Sequence, residues 1–296
     1  MSRYLDPKAD IVFKKVFGHH PHLLISFLNA VLPLPEGRAI ASLTYLNPES
    51  TPDLPFLKRT IADVRCTDEQ GRVFIVEMQI EWTDSFKQRL LFEAGQALVK
   101  QLNSGENYHL LQPVYGLGII ATNFDPTEQW YHHYQMVNVD KSPREIIEYL
   151  QLVFIELPKF PVRSSEHKQL RSLWLRFLRE VNEKTQEISP DLLAVPEIEE
   201  AVNLVQESAY TPGELQAYES YWDQVSRDKT LWAGRYEEGL AEGEAKGLAE
   251  GLEKGRQQER LALAKKLLLA NVDESLIFDY THLTPDEFLA LKKTII

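Results

Sequence analysis

The segment IADVRCTDEQGRVFIVEMQIEW, residues 61–82, reads as two apolar strands around a tight polar turn, and it carries acids where core strands carry Val or Ile. If Glu69-Gln70-Gly71 is a three-residue turn with glycine in the left-handed position, Asp68 opposes Arg72 and Asp63 opposes Glu77. Gln79 then shares the face of the two acids, while Val76, Met78 and Ile80 point to the other. A two-residue turn would instead set Asp63 against Met78. Two carboxylates opposed at about 5 Å repel one another unless a proton or a cation lies between them. Magnesium, which takes oxygen ligands and is commonly held by one or two carboxylates plus substrate phosphate, would resolve the conflict. Solvated acids on an exposed hairpin face are the other reading. Against it stand Ile61, Val73 and Ile75, which share that face and make it a partly buried surface where ionised groups need partners.

Around the hairpin the pattern is mixed. DPKADIVFKKVF and PHLLISFLNAVL read as helices, the second stopped by LPLPEG, and ASLTYLN and KRTIADVRCT read as strands before GRVFIVEMQI. Residues 86–102 have helical periodicity through Leu90, Leu91, Ala94, Leu98 and Leu102. PVYGLGIIAT is a buried strand, followed by strands at YHHYQMVNV and LQLVFIEL. A helix crossing between strands implies an α/β/α layering with helices on both faces of a sheet. Beyond about residue 160 the chain turns mainly helical.

The chain of 296 residues, 44% hydrophobic, has room for one substantial core and an appendage. The lone cysteine, Cys66, excludes an intramolecular disulfide and favours a reducing, cytoplasmic setting. MSRYLDPKAD lacks the apolar core of a secretory signal, and no stretch approaches the length of a membrane span. The formal net charge of −12 argues against nucleic acid, but its distribution softens that. Residues 1–104 hold 12 Lys and Arg against 12 Asp and Glu, so the acidic surplus lies beyond them. Lys58, Arg59, Arg65, Arg72, Lys87 and Arg89 crowd around the hairpin, either as a DNA-facing cluster or as solvated charges.

From Tyr236 the chain repeats EEGLAEGEAKGLAEGLEKG, with glycines at 239, 243, 247, 251 and 255. Four-residue steps turn about 400°, so on a helix they form a smooth stripe that lets a second backbone approach closely. A self-associating helix and a flexible linker both remain open. The final segment ends in a helix opened by the capping box of Thr284, Pro285 and Glu287. It resembles a helix-turn-helix, but Asp286 and Glu287 would point acids at phosphate, and simple helical packing is the competing reading.

Other signals are weaker. Gly116-Leu-Gly-Ile-Ile-Ala121 imitates a dinucleotide fingerprint but lies inside a strand with no helix start after it, which points to packing. No P-loop and no nucleophile-elbow serine is present. His19, His20, His22, His132 and His133 lack the spacing and thiol partners of a structural zinc site.

Asp63 followed by Glu77-Met78-Gln79 resembles the motif of the recombination-promoting nuclease and transposase group (the Rpn family) of the PD-(D/E)XK nuclease superfamily, an Asp on one strand and Glu-x-Lys, or here Glu-x-Gln, on the next. The resemblance extends to DPKADIVFKKVFG, the helix with Arg89 and Gln96, the segment Gln101–Tyr108 and the glycine-stepped tail. It implies a restriction-endonuclease-like α/β/α core with a mixed sheet and a helical tail, hydrolysing DNA with magnesium in the service of recombination or transposition. Asp63, Glu77 and Gln79 are then the expected catalytic set, with Asp63, Glu77 and Asp10 as metal ligands. Asp10 has a second reading, a helix-start acid complementing the macrodipole. Gln79 stands where the superfamily has lysine, and a neutral amide can orient water but cannot supply charge. Lys14, Arg65, Arg89, Gln96 and Tyr108 are the expected DNA contacts. The expected segments are a nuclease-like domain over 1–160, a helical extension over 161–232, the glycine-stepped helix or linker over 233–258 and a helical module over 259–296. A homo-oligomer assembled through the glycine steps is expected. The rival reading is an oligomeric DNA-associated scaffold with a degenerate site, which would not need metal at Asp63 and Glu77.

Overall fold

The computed structural model describes residues 3–46, 49–50, 60–61, 63–83, 85–161 and 169–295. They fall into two compact units, residues 1–223 and 224–296.

The first unit is built on a six-stranded mixed sheet. Its strands are β1 (Leu43–Tyr45), β4 (Val64–Asp68), β5 (Val73–Gln79), β6 (Val114–Ile120), β7 (Tyr131–Val137) and β8 (Ile146–Glu156), in the order β1-β4-β5-β6-β8-β7. β5, β6 and β8 run parallel, and the other neighbours are antiparallel. A two-stranded ladder pairs β2 (Glu49–Ser50) with β3 (Thr60–Ile61). KRTIADVRCT is therefore not one strand: β3 pairs with β2, and a new strand, β4, begins at Val64. The side chain of Ile61 lies outside the described residues, as do Lys58 and Arg59.

Alternation along the central strands divides the core in two. Phe74 and Val76, Tyr115 and Leu117, and Val153 and Ile155 pack on one face. Against that face lie α1 (Asp10–Phe17), α2 (Pro21–Val31), α4 (Leu170–Glu180) and α6 (Pro196–Leu204), with the short α5 (Pro190–Leu193) beside them. Val73, Ile75, Val114, Leu152 and Phe154 face the other way, onto Phe86, Leu90, Ala94 and Ala97 of α3 (Phe86–Val99), which crosses from β5 to β6. This is an α/β/α layering.

The glycines of GLGII serve packing. A Cβ on Gly116 would stand 2.8 Å from Leu152 Cδ2, and one on Gly118 would stand 2.8 Å from Phe86 Cε1. A side chain at either position would force Leu152 and Leu90, or Phe86 and Phe154, to move aside.

α7 runs unbroken from Pro212 to Leu269 and enters the second unit. Beyond the helix's own neighbouring backbone, no atom of the described residues lies within 4 Å of where a Cβ would stand on any of the five stepped glycines. In that unit Ala264 packs with Ile277, Leu283 and Phe288 of the segment containing α8 (Glu274–Thr281) and α9 (Pro285–Ile295). Thr284 opens α9 as a reciprocal cap: its N–H donates to Glu287 Oε2 at 2.8 Å, and the Glu287 N–H donates to Thr284 Oγ1 at 3.3 Å.

Candidate active site

The hairpin register sets the geometry. Gly71 takes φ +80°, and Asp68 Oδ1 accepts from the N–H groups of Gln70 at 3.0 Å and Arg72 at 2.9 Å, closing the three-residue turn. Val64 pairs with Val76, so Asp63, one step before β4, stands opposite Glu77. The Asp63 carboxylate turns back onto the partner strand and accepts from the Met78 N–H at 2.6 Å. The Arg72 guanidinium is buried in an ion pair with Asp68. Arg72 thus belongs to the turn and is withdrawn from any cluster of bases facing a ligand.

Glu77 is 4% exposed, and its lateral neighbour on β6 is Gly118, which puts no side chain beside the carboxylate. Arg89, reaching from α3, donates through NH2 to Glu77 Oε2 at 2.9 Å and to Gln79 Oε1 at 2.8 Å. The Gln79 amide nitrogen donates to the carbonyl of Glu81 at 2.6 Å, which fixes the amide with its oxygen toward Arg89. Sequence reasoning placed Gln79 beside Glu77; its linkage through Arg89 emerges only when α3 is folded back over the strand.

Further acids close around this pair. Asp10, at the start of α1, approaches Asp63 from the opposite layer. Lys14 Nζ lies 2.7 Å from Asp10 Oδ1 as an ion pair, yet without hydrogen-bond geometry, so that oxygen is left without a hydrogen-bond partner. The Asp63 carboxyl is pushed up to about 7, chiefly by burial and further by the charges of Asp10 and Glu77, while the Met78 N–H pulls the other way. Glu93, on α3 one turn beyond Arg89, is pushed up to about 9 by burial and by the Glu77 carboxylate against it. Nothing in the strand motif announces Glu93; only its place among apolar residues of α3 could have marked it. Tyr221 of α7 also borders the site, and its hydroxyl is raised by burial and by the charges of Asp63 and Asp10.

The remaining expected contacts divide. Arg65 pairs with Ile75 and shares the face of Glu77; burial lowers its guanidinium, while the charge of Glu93 acts in the opposite sense. Gln96 is half-buried on α3, two turns past Arg89. Tyr108 is exposed and precedes β6, which is parallel to β5 and begins with Val114 beside Val73, at the end of β5 away from Gln79. The structure does not bring it to the acids.

In donor chemistry the cluster suits a hard divalent cation: it offers carboxylates alone, and Asp10 Oδ1, Glu77 Oε1 and both Glu93 oxygens are buried without hydrogen-bond partners. Among the described residues, no three Asp, Glu, His or Cys side chains are gathered to hold a metal ion as they stand. Arg89 takes the second Glu77 oxygen, and the Met78 N–H takes one of Asp63.

A family model described as PD-(D/E)XK nuclease family transposase matches residues 7–232, spanning α1, the hairpin, α3 and the sheet. The chain belongs to this family. Searches of curated proteins and of solved structures gave no match. The α/β/α layering is the core expected of a PD-(D/E)XK family member. No helix among the described residues is long and apolar enough to cross a membrane.

Proposed function

We propose that this chain is a magnesium-dependent DNA endonuclease, making strand breaks of the kind that recombination and transposition require. One observation carries the reading: in a nuclease-family chain, the hairpin register brings two poorly solvated carboxylates, Asp63 and Glu77, to the same point, with carboxyl oxygens nearby that have no hydrogen-bond partner. Asp63 and Glu77, with Asp10, would hold the cation. When bound, magnesium supplies a water of lowered pKa and neutralises charge on the phosphate.

The chain's own groups supply orientation. Gln79 can position the attacking water through one neutral hydrogen bond. Arg89 carries the charge that a lysine at position 79 would otherwise bring, and its planar guanidinium can pass from Glu77 to a phosphate oxygen. Lys14 and Arg65 add positive charge near the acids, and the exposed Tyr108 would reach DNA away from the cut.

The scaffold reading draws on the same Arg89, which already pairs with one Glu77 oxygen without metal, and on Gln79 in place of lysine. Supercoiled plasmid separates the two. Nicked or linear product with magnesium and none with EDTA supports the nuclease; intact plasmid in both, with DNA retained by the protein, supports the scaffold.

A further inference from the structure

The face of α3 that meets the sheet carries Phe86, Leu90, Glu93, Ala94 and Ala97, an apolar stripe with a single acid in it. Glu93 is 5% exposed, and neither carboxyl oxygen has a hydrogen-bond partner. Its neighbour across the gap is Glu77, 4% exposed, whose Oε1 is also without a partner. The two carboxyl groups abut, the Glu77 carboxylate raising Glu93, and the positive charges of Arg65 and Arg89 act on Glu93. A leucine at position 93 would complete the stripe at no electrostatic cost. A second buried acid against Glu77 instead costs desolvation, and two abutting carboxyl groups call for a proton or a cation between them.

We propose that Glu93 is a further carboxylate ligand, sharing a divalent cation with Glu77 from the α3 side of the sheet. The inference rests on the nuclease reading and extends its donor set beyond the strand motif and Asp10. All the donors are carboxylate oxygens, which fits magnesium or manganese and disfavours softer metals. Arg65 and Arg89 stand beside this pair and would face the phosphate of bound DNA.

Manganese is the probe, titrated into the full-length protein without DNA and followed by the paramagnetic signal of the free ion. Glu93→Gln keeps the size and hydrogen-bonding capacity of the side chain and removes the ligand charge; Glu93→Leu completes the apolar stripe, so it folds even if the amide is poorly tolerated. Both variants should bind manganese at least about tenfold more weakly than the wild type, while their melting in EDTA stays level or rises. Wild-type affinity in either folded variant overturns the inference and leaves the nuclease reading standing. Absence of manganese binding by the wild type overturns both.

Discussion

The Arg89 guanidinium spans from α3 to β5 and holds the buried Glu77 carboxylate at 2.9 Å. It is the one ion-pair partner of Glu77 among the described residues. Arg89→Met should leave that carboxylate buried and unpaired, costing about 1–3 kcal/mol. In EDTA the variant should melt below the wild type, and magnesium should recover more of its stability than it adds to the wild type. Equal magnesium shifts in the two proteins, read by calorimetry, would show that Arg89 and the cation do not act on the same carboxylate.

The Asp63 carboxyl is raised to about 7 against an ordinary value near 4, so the folded protein binds a proton there that the unfolded chain has released. Stability of the metal-free protein is therefore greatest below the unfolded value and falls as pH climbs toward 7, levelling once both states are ionised. Glu93, raised to about 9, extends the decline in the same direction. Melting in EDTA should drop between pH 5 and pH 8, and Asp63→Asn should flatten the lower part of that drop. Parallel pH profiles for the two proteins would count against the burial and charge crowding at Asp63.

Gln79 bonds both Arg89 and the carbonyl of Glu81. Gln79→Ala should lose about 1 kcal/mol of stability and slow plasmid cleavage by 10²-fold or more, at the scale of a positioned proton-handling group. Gln79→Lys supplies the usual charge of the superfamily and should cleave at least as fast as the wild type. A slower lysine variant, with melting unchanged, would mean that Gln79 acts only by anchoring Arg89.

The five stepped glycines cost about 1 kcal/mol each relative to alanine in a helix, and beyond the local helix backbone no described residue comes within 4 Å of their Cβ positions. Substitution therefore has no intramolecular clash to cause. If the stripe is a meeting face for a second copy, leucine at Gly243, Gly247 and Gly251 should raise helix content and lower the mass measured by light scattering. Unchanged mass would leave the stripe without a role in association.

The three-residue turn was one of two readings of Glu69-Gln70-Gly71, and once Gly71 takes the left-handed position the place of Asp63 opposite Glu77 follows by counting. α3 and β6 were legible from periodicity and from an uninterrupted apolar run. The break between β3 and β4 was not, because KRTIADVRCT alternates smoothly and nothing local shows that β3 pairs with β2 instead. Arg72 read as an available cation, since sequence does not reveal that Asp68 buries it. Glu93 and Tyr221 were missed for a related reason: they reach the acids only through the packing of α3 and α7, and such long-range contacts leave no spacing in the chain.

Cleavage of supercoiled plasmid by wild type and Asp63→Asn, each with magnesium and with EDTA and each melted on the same preparation, tests the central claim most directly. Magnesium should raise the wild-type melting point, by up to about 2.7 kcal/mol of stability at a hundredfold excess over Kd, and it alone should permit cleavage. Asp63→Asn should be no less stable in EDTA, should respond less to magnesium and should leave plasmid intact. Wild-type cleavage by Asp63→Asn, or equal magnesium shifts in both melting curves, would contradict the assignment of Asp63 and Glu77 as the centre of a nuclease site.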